Sequence, residues 1–214
     1  MRAIPVAQGS ADWFQARLGI VTASEMDSIV SPTFKVRDSK GVKSYVARKV
    51  AERWLGEPLA TFSGGAAEQG TFLEKEARPY YSARFDVDIE TVGFVTSDDG
   101  TMGCSPDGMF ADGTGIEIKS PQPEKHIAYL LAGVLPEEYG VQVHGSMLVT
   151  GAPWWTFMSY CRRLPPLILR VMRDPTIMAV MEAAVSRAAS DIDAGYQTLL
   201  ELNGGPPKGT GNAY

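Results

Sequence analysis

Residues 104–121 run Cys-Ser-Pro-Asp-Gly-Met-Phe-Ala-Asp-Gly-Thr-Gly-Ile-Glu-Ile-Lys-Ser-Pro, and the rest of the chain arranges itself about them. Gly115 to Lys119 alternates as a short strand does, with Ile116 and Ile118 on one face and Glu117 and Lys119 on the other. Ala111-Asp112-Gly113-Thr114 is a turn signal, so Asp107 and Glu117 are expected on neighbouring strands of one hairpin. An aspartate, a glutamate and a lysine then meet at one edge of a sheet. Two carboxylates can hold a divalent cation through oxygen ligands. A lysine beside them can orient or deprotonate a water. These are the parts of metal-assisted phosphodiester hydrolysis. Glu-x-Lys alone also fits a solvated strand face; the Pro-Asp-Gly before it and Ser120-Pro121 after it add to the signal.

At 214 residues, 44% hydrophobic and 21% charged, the chain reads as globular, with one domain over 1–202 and a flexible Pro/Gly tail over 203–214. No apolar run approaches a membrane span, and the first residues lack a signal-peptide pattern. Cys104 and Cys161 are too few for a disulfide framework or a cysteine-based metal cluster, which makes a reducing cytoplasm the expected location. The net charge of −5 is unevenly spread: residues 1–53 carry +4, 54–138 carry −10 and 139–214 carry +1. The acidic middle contains the candidate metal site. The cluster Lys35, Arg37, Lys40, Lys43, Arg48, Lys49 and Arg53 fits either a phosphate-tracking surface or a solvated helix face.

Taken in order, Ser10 caps a short helix that stops at Gly19. Val21 to Val30 is expected as a second helix, capped by Thr22 or Ser24. A third runs from Lys43 to Leu55. A fourth starts near Ser63-Gly-Gly and carries Glu74, with a kink or break expected at Pro79. Ile89–Thr96 and the segment from Met102 read as a hairpin. Helices from Pro123 and Pro136 follow, the second carrying Gln142 and a structural His144. Two strands, 154–161 and 167–172, precede a final helix that Asp174-Pro175 opens. The expected fold is α/β, a central mixed sheet with helices on both sides.

Pro106-Asp107, nine residues, then Glu117-Ile118-Lys119 resembles the PD-(D/E)xK nuclease motif. Further blocks resemble one branch of that superfamily, phage lambda exonuclease and the viral-type alkaline exonucleases. These are Trp13 with Ala16-Arg17-Leu18-Gly19, Thr22-Ala23-Ser24-Glu25, Gly70-x-x-x-Glu74-x-x-Ala77-Arg78, and Tyr139-x-x-Gln142-Val143-x-x-Ser146-Met147. The resemblance spans residues 10–150, its blocks in order. It implies a restriction-endonuclease-like sheet and a Mg²⁺-dependent 5′-to-3′ exonuclease on linear double-stranded DNA. The products would be 5′-mononucleotides and 3′ overhangs for recombination with a single-strand annealing protein. It also implies a ring-shaped homotrimer, a phage or prophage origin, and two ions per site, with Mn²⁺ able to substitute. Carried over by motif, Asp107, Glu117 and the Ile118 carbonyl hold the metal and Glu74 completes the site. Lys119 orients the water, and Gln142 positions water or strand. Arg17, Ser24 and Ser105 match phosphate-binding positions. Where the family carries a wedge residue, this chain has Gly64-Gly65-Ala66-Ala67-Glu68. Two other readings stay open: a structure-specific or restriction-like endonuclease on the same site, and a catalytically silent DNA-binding module.

Overall fold

The computed structural model describes residues 1–59 and 64–205, with side chains described from residue 73 onward in the helix that starts at 64. The tail from 206 and the side chains of 64–68 lie outside the described residues. Among the described residues eight strands form two four-stranded sheets. The first comprises β1 (Arg2–Ile4), β2 (Val21–Thr22), β3 (Phe94–Thr96) and β4 (Met102–Cys104), in the order β1-β3-β4-β2. The second comprises β5 (Gly108–Met109), β6 (Gly115–Lys119), β7 (Trp154–Ser159) and β8 (Leu167–Met172), in chain order. Six α-helices surround them: α1 (Ala11–Ala16), α2 (Lys40–Leu55), α3 (Gly64–Phe85), α4 (Pro123–Ala132), α5 (Glu137–Thr150) and α6 (Pro175–Asn203).

The expected single sheet is thus divided, and the division falls at Ser105–Asp107, between β4 and β5. The expected strand over 89–96 is shorter than read. Only Phe94–Thr96 pairs as β3, while Glu90 makes an isolated bridge to Met109. β6 pairs with β5 antiparallel and with β7 parallel. That parallel step needs a crossover, which α4 and α5 supply. Alternation along β6 then decides the layers. Ile116 and Ile118 face α3 and form a small core with Ala77 and Met158, flanked by Tyr80 and Tyr81. The opposite face turns toward α5. There the main core gathers Val143, Met147, Trp155 and Phe157 with Met181 and Val185 of α6.

Two helix expectations are corrected. Residues 21–30 do not form an α-helix. Val21 and Thr22 pair with β4, and Ala23–Ser28 is a single short 3-10 helix. Its burial of Ala23 and Met26 under α5 replaces a longer amphipathic face. Ser24 lies inside that helix, and Thr22, at its N-cap position, makes no capping hydrogen bond. Pro79 also fails to break α3, which runs unbroken from Gly64 to Phe85. Proline removes one backbone hydrogen bond, but the packing of Ala77, Tyr80 and Tyr81 on β6 holds the following turn in place. Both cysteines are free and buried. Among the described residues no helix is long and apolar enough to cross a membrane.

α5 seats on the 3-10 helix through Gly145. A Cβ there would stand 2.8 Å from Met26 Sδ and 3.2 Å from Ala23 Cα. Gly145→Val therefore overpacks the contact that sets the height of α5. It should cost about 1–3 kcal/mol, measured as a lower urea midpoint, with the slope unchanged.

Candidate active site

Asp107 sits where β5 leaves β6. One residue before the paired Gly108, its side chain replaces the missing strand partner: Ile118 N donates to Asp107 Oδ2 at 2.6 Å. Residues 116 and 118 turn their backbone groups toward β5, whereas Lys119 turns its own toward β7, where its carbonyl accepts from Tyr160 N. The carbonyl of a strand residue leaves the chain on the same side as its N–H. The Ile118 carbonyl therefore faces the edge that Asp107 occupies.

Glu117 is buried on the α5 face. Its Oε1 receives Lys119 Nζ at 2.7 Å and Gln142 Nε2 at 2.7 Å. Its Oε2 is buried and has no hydrogen-bond partner among the described residues. Burial pushes the Asp107 carboxyl well above the usual carboxylate range, and the charges of Glu117 and Glu74 push the same way. Burial acts to lower the Lys119 ammonium, but Glu117 and Asp107 outweigh it and raise it. Lys119 is therefore held as a cation. The structure brings Asp107, Glu117, Lys119 and Gln142 together. Glu74 is near enough for its charge to act on Asp107, yet Arg78 pairs with it at 2.5 Å. Among the described residues no three acids, histidines or cysteines gather into a metal cage. The donor set still fits a hard divalent cation: an orphaned buried carboxylate oxygen, a second carboxylate disfavoured in its charged form, and a carbonyl on the same edge.

A second constellation begins two residues before Asp107. Arg17 donates to Ser105 Oγ at 3.1 Å and to Ser24 Oγ at 3.1 Å. The three predicted phosphate-site residues thus stand together, although no α-helix N-terminus supports them. Trp13, which the sequence places in the N-terminal block of the family resemblance without a role at the site, joins them. Its indole N–H donates to Ser105 Oγ at 2.8 Å, and the Arg17 guanidinium lies 4.2 Å from its ring centre. Burial pulls the Arg17 guanidinium below its ordinary value, while Glu25 acts in the opposite direction. A tryptophan four residues before an arginine on one helix was the available signal. His144 is structural: buried, with Nδ1 2.9 Å from the Gly140 carbonyl oxygen. His126, passed over in the sequence, is also structural and clamps α4 to the end of β7. Its Nδ1 lies 2.7 Å from Ser159 Oγ, and Ser159 is the register partner of Lys119.

Three of the seven cations in the basic cluster read from the sequence, Arg48, Lys49 and Arg53, are spent internally. Glu25 Oε1 pairs with Arg48 at 2.8 Å and Oε2 with Lys49 at 2.7 Å, and Glu52 receives Lys49 at 3.0 Å. Arg53 pairs with Asp193 at 2.5 Å. Lys35, Lys40 and Lys43 remain exposed. Burial works against the Glu25 carboxylate, but Lys49, Arg48 and Thr22 hold its pKa down to about 2. The folded value lies below the unfolded one, so this stabilisation is complete above about pH 4.5 and is lost as pH falls toward 2. Urea unfolding followed from pH 6 to pH 3 should show a steep loss. Glu25→Gln should flatten that slope and lower stability at pH 7 by on the order of 3 kcal/mol.

A sequence model of the YqaJ-like viral recombinase domain matches residues 12–153. No curated protein sequence matches the chain. Among solved structures, the alkaline exonuclease LHK-Exo of Laribacter hongkongensis is 30% identical, with a TM-score of 0.80. The match covers 91% of this chain and 98% of that one. The structure of that exonuclease in complex with dAMP gives the same figures. A phage-related exonuclease of Haemophilus somnus 129PT shares 15% identity and a TM-score of 0.61, covering 86% of this chain and 96% of its own. That last likeness speaks to the fold alone. The two mixed sheets and their helices are of the restriction-endonuclease-like kind, and the activity class is that of a nuclease. The matched segment contains both Arg17 and Gln142, and the chain belongs to the YqaJ-like viral recombinase family.

Proposed function

We propose that the protein is a Mg²⁺-dependent 5′-to-3′ exonuclease on linear double-stranded DNA. It releases 5′-mononucleotides and leaves a 3′ single strand for an annealing protein, and it works as a closed homotrimer. The observation that carries this reading is the distance along the chain between two sites. Ser105 holds Arg17, and Asp107, two residues on, begins the carboxylate site. An anion pocket beside a hydrolytic centre suits an enzyme that measures from a strand end. An endonuclease has no terminal phosphate to place there.

Asp107, Glu117 and the Ile118 carbonyl would hold the cation, with Glu74 contributing at a second ion. A divalent ion there supplies Lewis-acid polarisation of the phosphoryl group and offsets developing negative charge. The chain's own groups do the rest. Lys119, charged and bonded to Glu117 Oε1, donates to the attacking water and orients it. Gln142 holds the same oxygen, so Glu117 keeps Oε2 directed elsewhere. Water forms the new bond to phosphorus as its proton passes to solvent, and the bond from phosphorus to the 3′ oxygen of the terminal nucleotide breaks as that oxygen takes a proton from solvent. The released nucleotide carries its original 5′-phosphate. The shortened strand carries a new 5′-phosphate for Arg17, Ser24 and Ser105.

Asp107→Asn should remove cleavage of end-labelled duplex while keeping the thermal unfolding temperature of the metal-free protein, and Lys119→Ala should remove cleavage as well, at a lower unfolding temperature because buried Glu117 loses its cation. The double variant should lose little more, because the groups act as a unit. Closed circular duplex should survive the wild-type enzyme; its breakdown would favour the endonuclease reading. Arg17→Ala should slow single-turnover digestion of 5′-phosphorylated ends by on the order of 1.5–3 kcal/mol, with much less effect on 5′-hydroxyl ends. Equal loss on both ends would place Arg17 in folding or general affinity.

A further inference from the structure

The first two turns of α5 present two side chains to β6. Tyr139 and Gln142 are three residues apart, so they share a helix face. Gln142 takes Glu117 Oε1. Tyr139 goes to the lysine: Lys119 Nζ lies 5.3 Å from its ring centre, within the roughly 6 Å reach of a cation–π contact. The ring is itself fixed. It stacks on Phe157 with centres 5.4 Å apart and an interplanar angle of 27°. Phe157 is fully buried and is the register partner of Glu117 across β6 and β7. The ring and the carboxylate that hold Lys119 therefore rest on adjacent strands of one rigid sheet.

Lysine needs such a hold. Its four-carbon stem is flexible and its charge is a point. One contact at 2.7 Å to Glu117 Oε1 leaves the ammonium free to swing about that oxygen. A second carboxylate would fix it, but would consume an N–H and add charge to a site already crowded with acids. An aromatic face attracts the cation and leaves its remaining donors for water and phosphate oxygen. We infer that Tyr139 is the positioning residue of Lys119, holding the ammonium by its ring face in the direction the hydrolytic step requires. The inference rests on Lys119 being the water-orienting group proposed above.

Single-turnover digestion of 5′-phosphorylated linear duplex with Mg²⁺ compares Tyr139→Met, Tyr139→Phe and Lys119→Ala. Tyr139→Met should slow cleavage about tenfold at unchanged duplex affinity, and Tyr139→Phe should restore most of that loss. A second measurement uses the DNA-free, metal-free chain with labelled lysine. The ε-methylene resonance of Lys119, assigned with Lys119→Arg, should lie upfield through the ring current. It should return to the ordinary lysine position in Tyr139→Met and stay upfield in Tyr139→Phe. An unshifted Lys119 resonance in the wild type overturns the inference even where Tyr139→Met fails to fold. So does a wild-type rate in Tyr139→Met, or a Tyr139→Phe variant as slow as Tyr139→Met. Loss of cleavage in Lys119→Ala beside full activity in Tyr139→Met rejects the role of Tyr139 alone. Full activity in Lys119→Ala rejects it together with the role of the lysine.

Discussion

Two carboxylates, Asp107 and Glu117, are held across a sheet edge where burial and the neighbouring charge of Glu117 disfavour the charged form of Asp107. Left to local forces, Asp107 would move into solvent or keep a proton. The surrounding structure prevents the movement. The Ile118 N–H holds Asp107 from the strand itself. Lys119 and Gln142 hold Glu117 from its own strand and from α5. The parallel β6–β7 pair needs a crossover, and that crossover is the helix pair that delivers Gln142. The layout of the second sheet thus follows from keeping two acids together. The strain that remains is electrostatic, and a hard cation would relieve it.

The Arg17 constellation uses opposite means. It is a cation held by neutral groups: two serine hydroxyls and an indole face. Behind it, Glu25 is occupied on both oxygens by Arg48, Lys49 and Thr22. Because those partners satisfy Glu25, it does not close over Arg17 as a direct ion pair. The guanidinium keeps donors that an anion can use, and its position is set before any anion arrives. Such preorganisation limits the side-chain entropy lost on binding.

What could be read from the chain was what depends on neighbours in sequence. Alternation along Gly115–Lys119 placed Glu117 and Lys119 on one face, and Asp174-Pro175 placed the start of α6. The segment 21–30 was misread because its hydrophobic spacing suits an α-helix, whereas pairing with β4, eighty residues away, takes its first two residues. The basic cluster misled for a related reason. Charge counts do not show that Glu25, twenty-three residues from Arg48, folds back to neutralise it. Trp13 and Ser105 meet across ninety-two residues, and nothing local announces that contact. Pro79 read as a breaker because propensity weighs a residue alone, while tertiary packing weighs the helix it belongs to.

The same cancellation of charge bears on how a chain of net charge −5 handles a polyanion. With Arg48, Lys49 and Arg53 paired internally, the basic cluster keeps Lys35, Arg37, Lys40 and Lys43 exposed. Under the proposed function the cations placed to meet the backbone near the site are Arg17 beside Ser105, Lys119 at the acids, and exposed Lys35, Arg37, Lys40 and Lys43. Few phosphate contacts mean a shallow dependence of binding on salt. They also mean little affinity for duplex held away from an end. Under the proposed function this is an advantage for selectivity, because a weakly held duplex interior leaves the terminal phosphate as the strongest anchor. It also gives a physical reason for enclosure. An enzyme that grips the backbone weakly stays on its substrate between cuts if the strand passes through a closed ring, where release requires the end itself to leave.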